Sequence, residues 1–236
     1  MNQVLLEPED LLEDGTARLT GRRLRHALEV LRAEEGDVLR VGLLGGPIGT
    51  AEVLKTDGGE LLLRPSFTGP PPPRAGIDLL LAIPRPKALR KVLPAAASLG
   101  VDRIVLVNAA RVEKSYFDSR VLDAAAMRDL LILGLEQARD TRVPEILVRE
   151  RFRPFVEDEL DELWPQAVRL VAHPAAERPP PRQSDRTVVA IGPEGGWVPF
   201  EIDLLRAHGF APFTFGPRML RVEVAVPYAL GALRAP

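Results

Sequence analysis

The chain has 236 residues, 46% of them apolar and 27% charged, with a formal net charge of −2. That balance suits a soluble globular protein large enough for a proper core, and it gives no general reason to expect a nucleic-acid partner. Cysteine is absent, which excludes disulfides, a thiolate nucleophile and Cys-ligated metal; His26, His173 and His208 have no HxxxH spacing, so no metal is expected.

The opening MNQVLLEPEDLLEDG is acidic where a signal peptide needs a basic flank, and no run approaches the ~20 apolar residues of a membrane span. A cytoplasmic protein is the expectation. VLL (4–6), DVLRVGLL (37–44), TAEVLK (50–55) and ELLLR (60–64) read as short strands between Gly and Asp turns. One helix interrupts them: Leu24, Ala27, Leu28 and Leu31 follow helical spacing after Thr20 as a candidate N-cap. The stretch RLTGRRLR at 18–25 carries four arginines and no acid, so a basic face can exist despite the net charge. A small β-barrel with one helix, over residues 1–70, fits this half.

GPPPPRAG at 69–76 is an extended, stiff connection and marks a domain boundary. After it, IDLLLAI (77–83), RIVLVN (103–108), EILVR (145–149), VRLVAH (168–173), TVVAI (187–191) and PFTF (212–215) are continuous apolar runs. Such runs suit strands buried on both faces. Helical patterns at 87–99, 119–138, 154–163 and 200–208 alternate with them, which predicts an α/β domain with a mostly parallel sheet over residues 75–236. The proline cluster ERPPPRQSDR at 177–186 reads as a surface loop within that domain.

Ligands of such sheets bind at the carboxyl ends of strands. Three turns lie there: Ala172-His173-Pro174, IGPEGGW at 191–197 and FGPRML at 215–220. Glycine permits positive φ and close approach to the backbone, while proline fixes the turn. No Lys-Ser/Thr follows the glycines and there is no GxGxxG, so phosphate binding is not indicated; a bare structural turn is the alternative to a ligand site.

EQARDTRVPEI (136–146), IGPEGGWVPFEI (191–202) and GPRMLRVEVAV (216–226) resemble, in order and spacing, three signatures of the RsmE family, and LRHALEVLRAEEGDVLRV (24–41) resembles its N-terminal domain. These are small-subunit (16S) ribosomal RNA uridine N3-methyltransferases of the SPOUT superfamily. The resemblance implies a PUA-like RNA-binding barrel, a SPOUT domain with a deep trefoil knot, a homodimer, and S-adenosylmethionine as cofactor. It implies cofactor contacts from Ala172, His173, Ile191, Gly192, Glu194, Gly195, Gly196, Phe215, Gly216, Met219 and Leu220.

Arg218 is the expected stabiliser of charge on the uracil, with an ion pair to Glu194 or Glu223 as its structural alternative. Glu223 is expected to hold Arg218 or to accept the N3 proton. Glu194 is expected to brace the glycine turn, His173 to cap its loop, with a catalytic base as the alternative, and Trp197 to lie in the core or cover the cofactor. Arg22, Arg23, Arg25, His26 and Arg32, with Lys87, Lys91, Lys114, Arg139 and Arg142 from the second half, are candidates for ribosomal RNA contacts. The family's usual LRTETA is LRVEVA here, so Val222 and Val224 replace two hydroxyl residues. That departure keeps a second reading in view, a non-catalytic RNA-binding or ribosome-assembly protein that retains the fold.

Overall fold

The protein is described from a computed structural model, over residues 3–57, 59–183 and 185–234; position 184 of the second proline cluster lies outside these. The chain divides into two compact units, Met1–Pro73 with Ile132–Val143, and Arg74–Leu131 with Pro144–Pro236.

The first unit contains a five-stranded sheet of β1 (Val4–Leu6), β2 (Ala17–Leu19), β3 (Val38–Leu43), β4 (Ile48–Asp57) and β5 (Glu60–Gly69), in the order β1-β3-β4-β5-β2. Only the β1–β3 pairing is parallel. Two register shifts between β4 and β5 introduce bulges that bend the ribbon. Inward residues such as Leu6, Leu19, Val41, Val53 and Leu63 form the core with Leu24 and Ala27 of the interrupting helix. That helix is α1 (Gly21–Arg25), continued by a π-helical stretch, His26–Val30. Thr20 stands at its N-cap position but makes no side-chain cap. Sequence reading missed β2, a three-residue strand too short to show alternation.

Residues 132–143 join this unit through specific bonds. The Gln3 amide donates to the Glu136 carbonyl at 3.0 Å, and the Thr141 hydroxyl donates to the Gly46 carbonyl at 2.6 Å. Glu136, with its side chain 4% exposed, forms a bidentate pair with Arg22 at 3.0 and 3.1 Å. Part of the EQARDTRVPEI signature is therefore a structural clasp.

In the second unit β6 (Ile77–Ala82), β7 (Arg103–Val107), β8 (Glu145–Arg149), β9 (Val168–Ala172), β10 (Thr187–Ile191) and β11 (Ala211–Phe213) form one parallel sheet. Its order is β11-β9-β10-β6-β7-β8. Every residue of β6 and β10 is buried, which accounts for their unbroken apolar character. The exception inside β6 is Asp78, fully buried, which accepts from Trp164 Nε1 at 2.6 Å and pairs with Arg186 at 2.8 Å. Arg186 closes the second proline loop onto the sheet.

Helices α2 (Pro86–Ser98) and α6 (Pro199–Ala207) lie where their periodicity predicts, each with proline at its start. α3 begins later than expected, spanning Ala124–Ala138, because residues 120–122 form a 3-10 turn whose Val121 amide donates to the Ser119 hydroxyl. The predicted helix at 154–163 is composite: α4 (Phe152–Pro154), a π-helical stretch at Phe155–Glu159, and α5 (Leu160–Leu163). The last helix, α7 (Val222–Leu233), was not expected from VEVAV, whose alternation looks like a strand. Its helical face is nonetheless present: Val222, Ala225, Val226, Ala229, Leu230 and Leu233 are buried.

Candidate active site

The carboxyl ends of β9, β10 and β11 open into a cavity of about 330 Å³, within the size range of small-molecule sites. Its wall consists of residues 172–175, 191–197 and 214–220, except Pro217, together with Val222, Ala225 and Arg111. All eleven expected cofactor residues border it: Ala172, His173, Ile191, Gly192, Glu194, Gly195, Gly196, Phe215, Gly216, Met219 and Leu220. Arg218 borders it as well; Glu223 does not.

Each loop is held by a local device. In the first, the His173 amide donates to the Phe213 carbonyl at 2.9 Å, and His173 Nδ1 accepts from the Ala175 amide at 3.3 Å, which is a loop cap. In the second, the Gly196 amide closes a turn on the Pro193 carbonyl at 2.8 Å, with Gly196 at φ +72°. In the third, the Thr214 hydroxyl accepts from the Gly216 amide at 3.2 Å, with Gly216 at φ +92°. Phe215 stacks edge-on between Phe213 and Tyr228, with centroids 5.2 and 5.4 Å away.

The glycine turn is braced from two neighbouring strands. Glu194 Oε1 accepts the Arg85 amide at 3.0 Å, tying the turn to the loop after β6. Glu201, 2% exposed, accepts the Val198 amide at 2.8 Å and the Ala110 amide at 2.7 Å. This carboxylate at the third helical position accepts the N-cap amide, the half of a capping box that Val198 can still take part in, and it anchors the loop after β7. Arg111 on that loop donates to the Gly195 carbonyl. The Arg85 guanidinium lies beside the Tyr116 hydroxyl, whose hydrogen bond, with further attraction from Tyr116 and Glu194, raises the Arg85 pKa.

Two glycines here admit protein side chains. A Cβ on Gly192 would lie 3.2 Å from Trp197 Nε1, and one on Gly195 would lie 3.0 Å from Arg111 Cδ. Trp197 serves as both core and wall: it is 5% exposed, its ring centroid is 5.6 Å from that of Phe152, and it borders the cavity. Its Nε1 is buried with no hydrogen-bond partner among the described residues.

Two expectations about the charged residues need correction. Arg218 is exposed and makes no hydrogen bond or ion pair among the described residues, so neither Glu194 nor Glu223 holds it. Glu223 instead pairs with Lys91 at 3.6 Å, which joins α7 to α2 and engages a lysine expected to contact RNA. The missing hydroxyls also differ: Val222 is buried in the cavity wall, whereas Val224 is 49% exposed and outside it.

The basic candidates are similarly divided. Arg22 is paired with Glu136, Arg23 with Asp10, and Arg142 lies 3.7 Å from Asp140. Arg142 Nε and Nη2 and His26 Nε2 are buried without hydrogen-bond partners. Arg25, Arg32, Arg139, Lys87 and Lys114 are exposed. Arg111 was missed because the loop NAARVEK carries no motif; its role depends on where β7 lies in the sheet.

The cavity suits an adenosine-bearing, non-phosphorylated cofactor. Ile191, Leu220, Val222 and Ala225 give apolar wall, and two glycine-containing turns present main-chain groups. Among the described residues no group of His, Asp or Glu is arranged to hold a metal, and no helix is long and apolar enough to cross a membrane.

Residues 71–234 match the model of the RNA methyltransferase domain, the class of protein that this fold and cavity define. The ribosomal RNA small subunit methyltransferase E of Treponema pallidum is 31% identical over 243 residues, covering 100% of this chain and 91% of the relative. The protein of that name from Synechocystis is 25% identical, covering 99% and 77%. The chain thus belongs to the ribosomal RNA small subunit methyltransferase E family. The Neisseria gonorrhoeae member, solved with S-adenosyl methionine, has the same fold, with a TM-score of 0.78 and 24% identity over 98% of this chain and 96% of that one. A Legionella pneumophila protein solved with bound SAM gives a TM-score of 0.75 and 25% identity, covering 99% and 97%.

Proposed function

We propose that this protein methylates N3 of a uridine in small-subunit ribosomal RNA, with S-adenosylmethionine as methyl donor. The observation that carries this reading is the convergence of the IGPEGG and FGPRML turns on one cavity, with the unpaired Arg218 at its edge. When bound, the cofactor supplies an electrophilic methyl group on a sulfonium. The residues lining the three loops hold it, and their fixed turns align donor and acceptor, the main requirement of an in-line displacement. Uridine N3 must lose its proton for the new N–C bond to form. In this reading Arg218, at the cavity edge, stabilises the resulting anion through a uracil carbonyl, and the proton passes to solvent.

The reading includes the finer features of the family. A PUA-like barrel is supported by the bulged five-stranded sheet of the first unit. A knot is supported by residues 174–183, which bond to the chain both before the third turn and at the end of α7: the Thr214 amide donates to the Arg178 carbonyl at 2.8 Å, and the Gln183 amide to the Leu233 carbonyl at 2.9 Å. A homodimer is supported by the half-exposed Val224 and Tyr228, one turn apart on α7. The cytoplasm is the corresponding compartment.

Calorimetry with S-adenosylmethionine, followed by mass spectrometry of ribosomal RNA from a deletion strain, tests this. Binding together with a missing N3-methyluridine is expected. No binding overturns the enzyme reading, and binding with every methyl mark retained favours the non-catalytic alternative.

A further inference from the structure

Arg111 is fixed at one end and open at the other. Its loop is pinned by the Ala110 amide on the buried Glu201, and Nη1 donates to the Gly195 carbonyl. Its stem lies across Gly195, where a Cβ would stand 3.0 Å from Cδ and 3.3 Å from Cβ of the arginine. The glycine therefore makes room for the arginine. A guanidinium has five N–H donors, and the carbonyl engages one of the two terminal nitrogens. Nε and Nη2 make no hydrogen bond and no ion pair among the described residues, although the residue borders the cofactor cavity and is exposed.

An arginine whose stem and one arm are immobilised has already lost much of the freedom that binding costs. Its remaining fork matches the oxygens of a phosphate, which an ammonium cannot engage bidentately. No carboxylate among the described residues neutralises it. The position at the rim, on the segment that also carries the exposed Lys114 three residues on, suits the backbone of a nucleotide entering the cavity more than the methyl donor within it.

We propose that Arg111 is a substrate-binding residue with two partners: the Gly195 carbonyl of the cofactor turn, and a backbone phosphate of the RNA at the target nucleotide. This rests on the RNA methyltransferase reading. Through it, the turn that shapes the cofactor wall is coupled to RNA contact.

The test compares wild type with Arg111→Gln and Arg111→Ala, measuring cofactor affinity by calorimetry and small-subunit rRNA fragment affinity against salt. Glutamine retains an amide donor for Gly195 without the charge. Arg111→Gln is expected to keep the cofactor dissociation constant within about threefold while RNA affinity falls ~10-fold. Its slope of log K against log salt should shrink by about 0.7, the value of one single-strand phosphate. Arg111→Ala should weaken cofactor binding as well. Wild-type RNA affinity and slope in Arg111→Gln, with active wild-type protein, overturn this proposal alone. Wild type that fails to bind S-adenosylmethionine overturns the functional reading and this proposal with it.

Discussion

Gly192 lies directly against Trp197: a Cβ on the glycine would stand 3.2 Å from the indole Nε1, its Cδ1 and the tryptophan backbone nitrogen. The indole is packed on Phe152 and has little room to retreat. Gly192→Ala is expected to cost about 1–3 kcal/mol through overpacking and to weaken cofactor binding. Denaturant unfolding and calorimetry check this; unchanged values of both would show that the wall relaxes freely.

Gly195 and Gly196 should fail for different reasons. Gly196 has φ +72° and a Cβ added to it would meet nothing within 4 Å, so Gly196→Ala incurs only backbone strain, about 1–2 kcal/mol. Gly195→Val should displace Arg111 and abolish cofactor binding. A cycle of Gly195→Ala with Arg111→Ala should give a coupling of about 0.5–3 kcal/mol, since the two changes meet at one contact. Additive effects would mean that the stem does not depend on the glycine.

Arg218→Ala should reduce turnover by ~10²-fold or more with cofactor affinity nearly intact, as loss of an electrostatic stabiliser does. Because the side chain is exposed and unpaired, stability should change by less than about 0.5 kcal/mol. Single-turnover kinetics with unchanged rate would remove Arg218 from the mechanism.

Val222→Thr and Val224→Thr separate wall from surface. A hydroxyl at the buried Val222 position enters the cavity wall and should destabilise the free protein by about 1–3 kcal/mol if it finds no partner. At Val224, about half exposed, the effect should stay within about 0.5 kcal/mol. Thermal melts with and without cofactor measure both.

Arg186→Ala leaves the fully buried Asp78 carboxylate with Trp164 as its remaining side-chain partner, and should cost about 3 kcal/mol. The hydrogen bond to Asp78 raises the Arg186 pKa despite partial burial. A raised basic pKa contributes stability that is present below the unfolded value and lost only as pH rises through the folded one. The wild-type contribution from Arg186 should therefore be constant through neutral pH and disappear only in strong alkali, which unfolding midpoints across that range would check.

Local chemistry made much of the fold legible. Strands β6 and β10 are buried on both faces, so their residues are apolar almost without interruption; the prolines at 70–73 end the first sheet and stiffen the connection to β6. Illegible elements were those whose local signal conflicted with their environment. Residues 222–226 alternate like a strand, yet the buried face that makes α7 a helix emerges only over the complete 12 residues.

For the site, sequence by itself determined which backbone turns line the cavity, because positive φ and fixed Gly-Pro geometry are properties of a few adjacent residues. The lack of cysteine also excluded a thiolate. Only the tertiary structure decided the pairings: Glu223 with Lys91, Arg22 with Glu136, and Arg111 on Gly195. A charged side chain reaches whichever partner the fold brings within a few ångströms, and that choice depends on strand order, here β10-β6-β7, which no stretch of sequence encodes locally. The glycines of IGPEGGW show the same division: their freedom can be read in the chain, but that Trp197 and Arg111 occupy the space they leave is a consequence of the folded sheet.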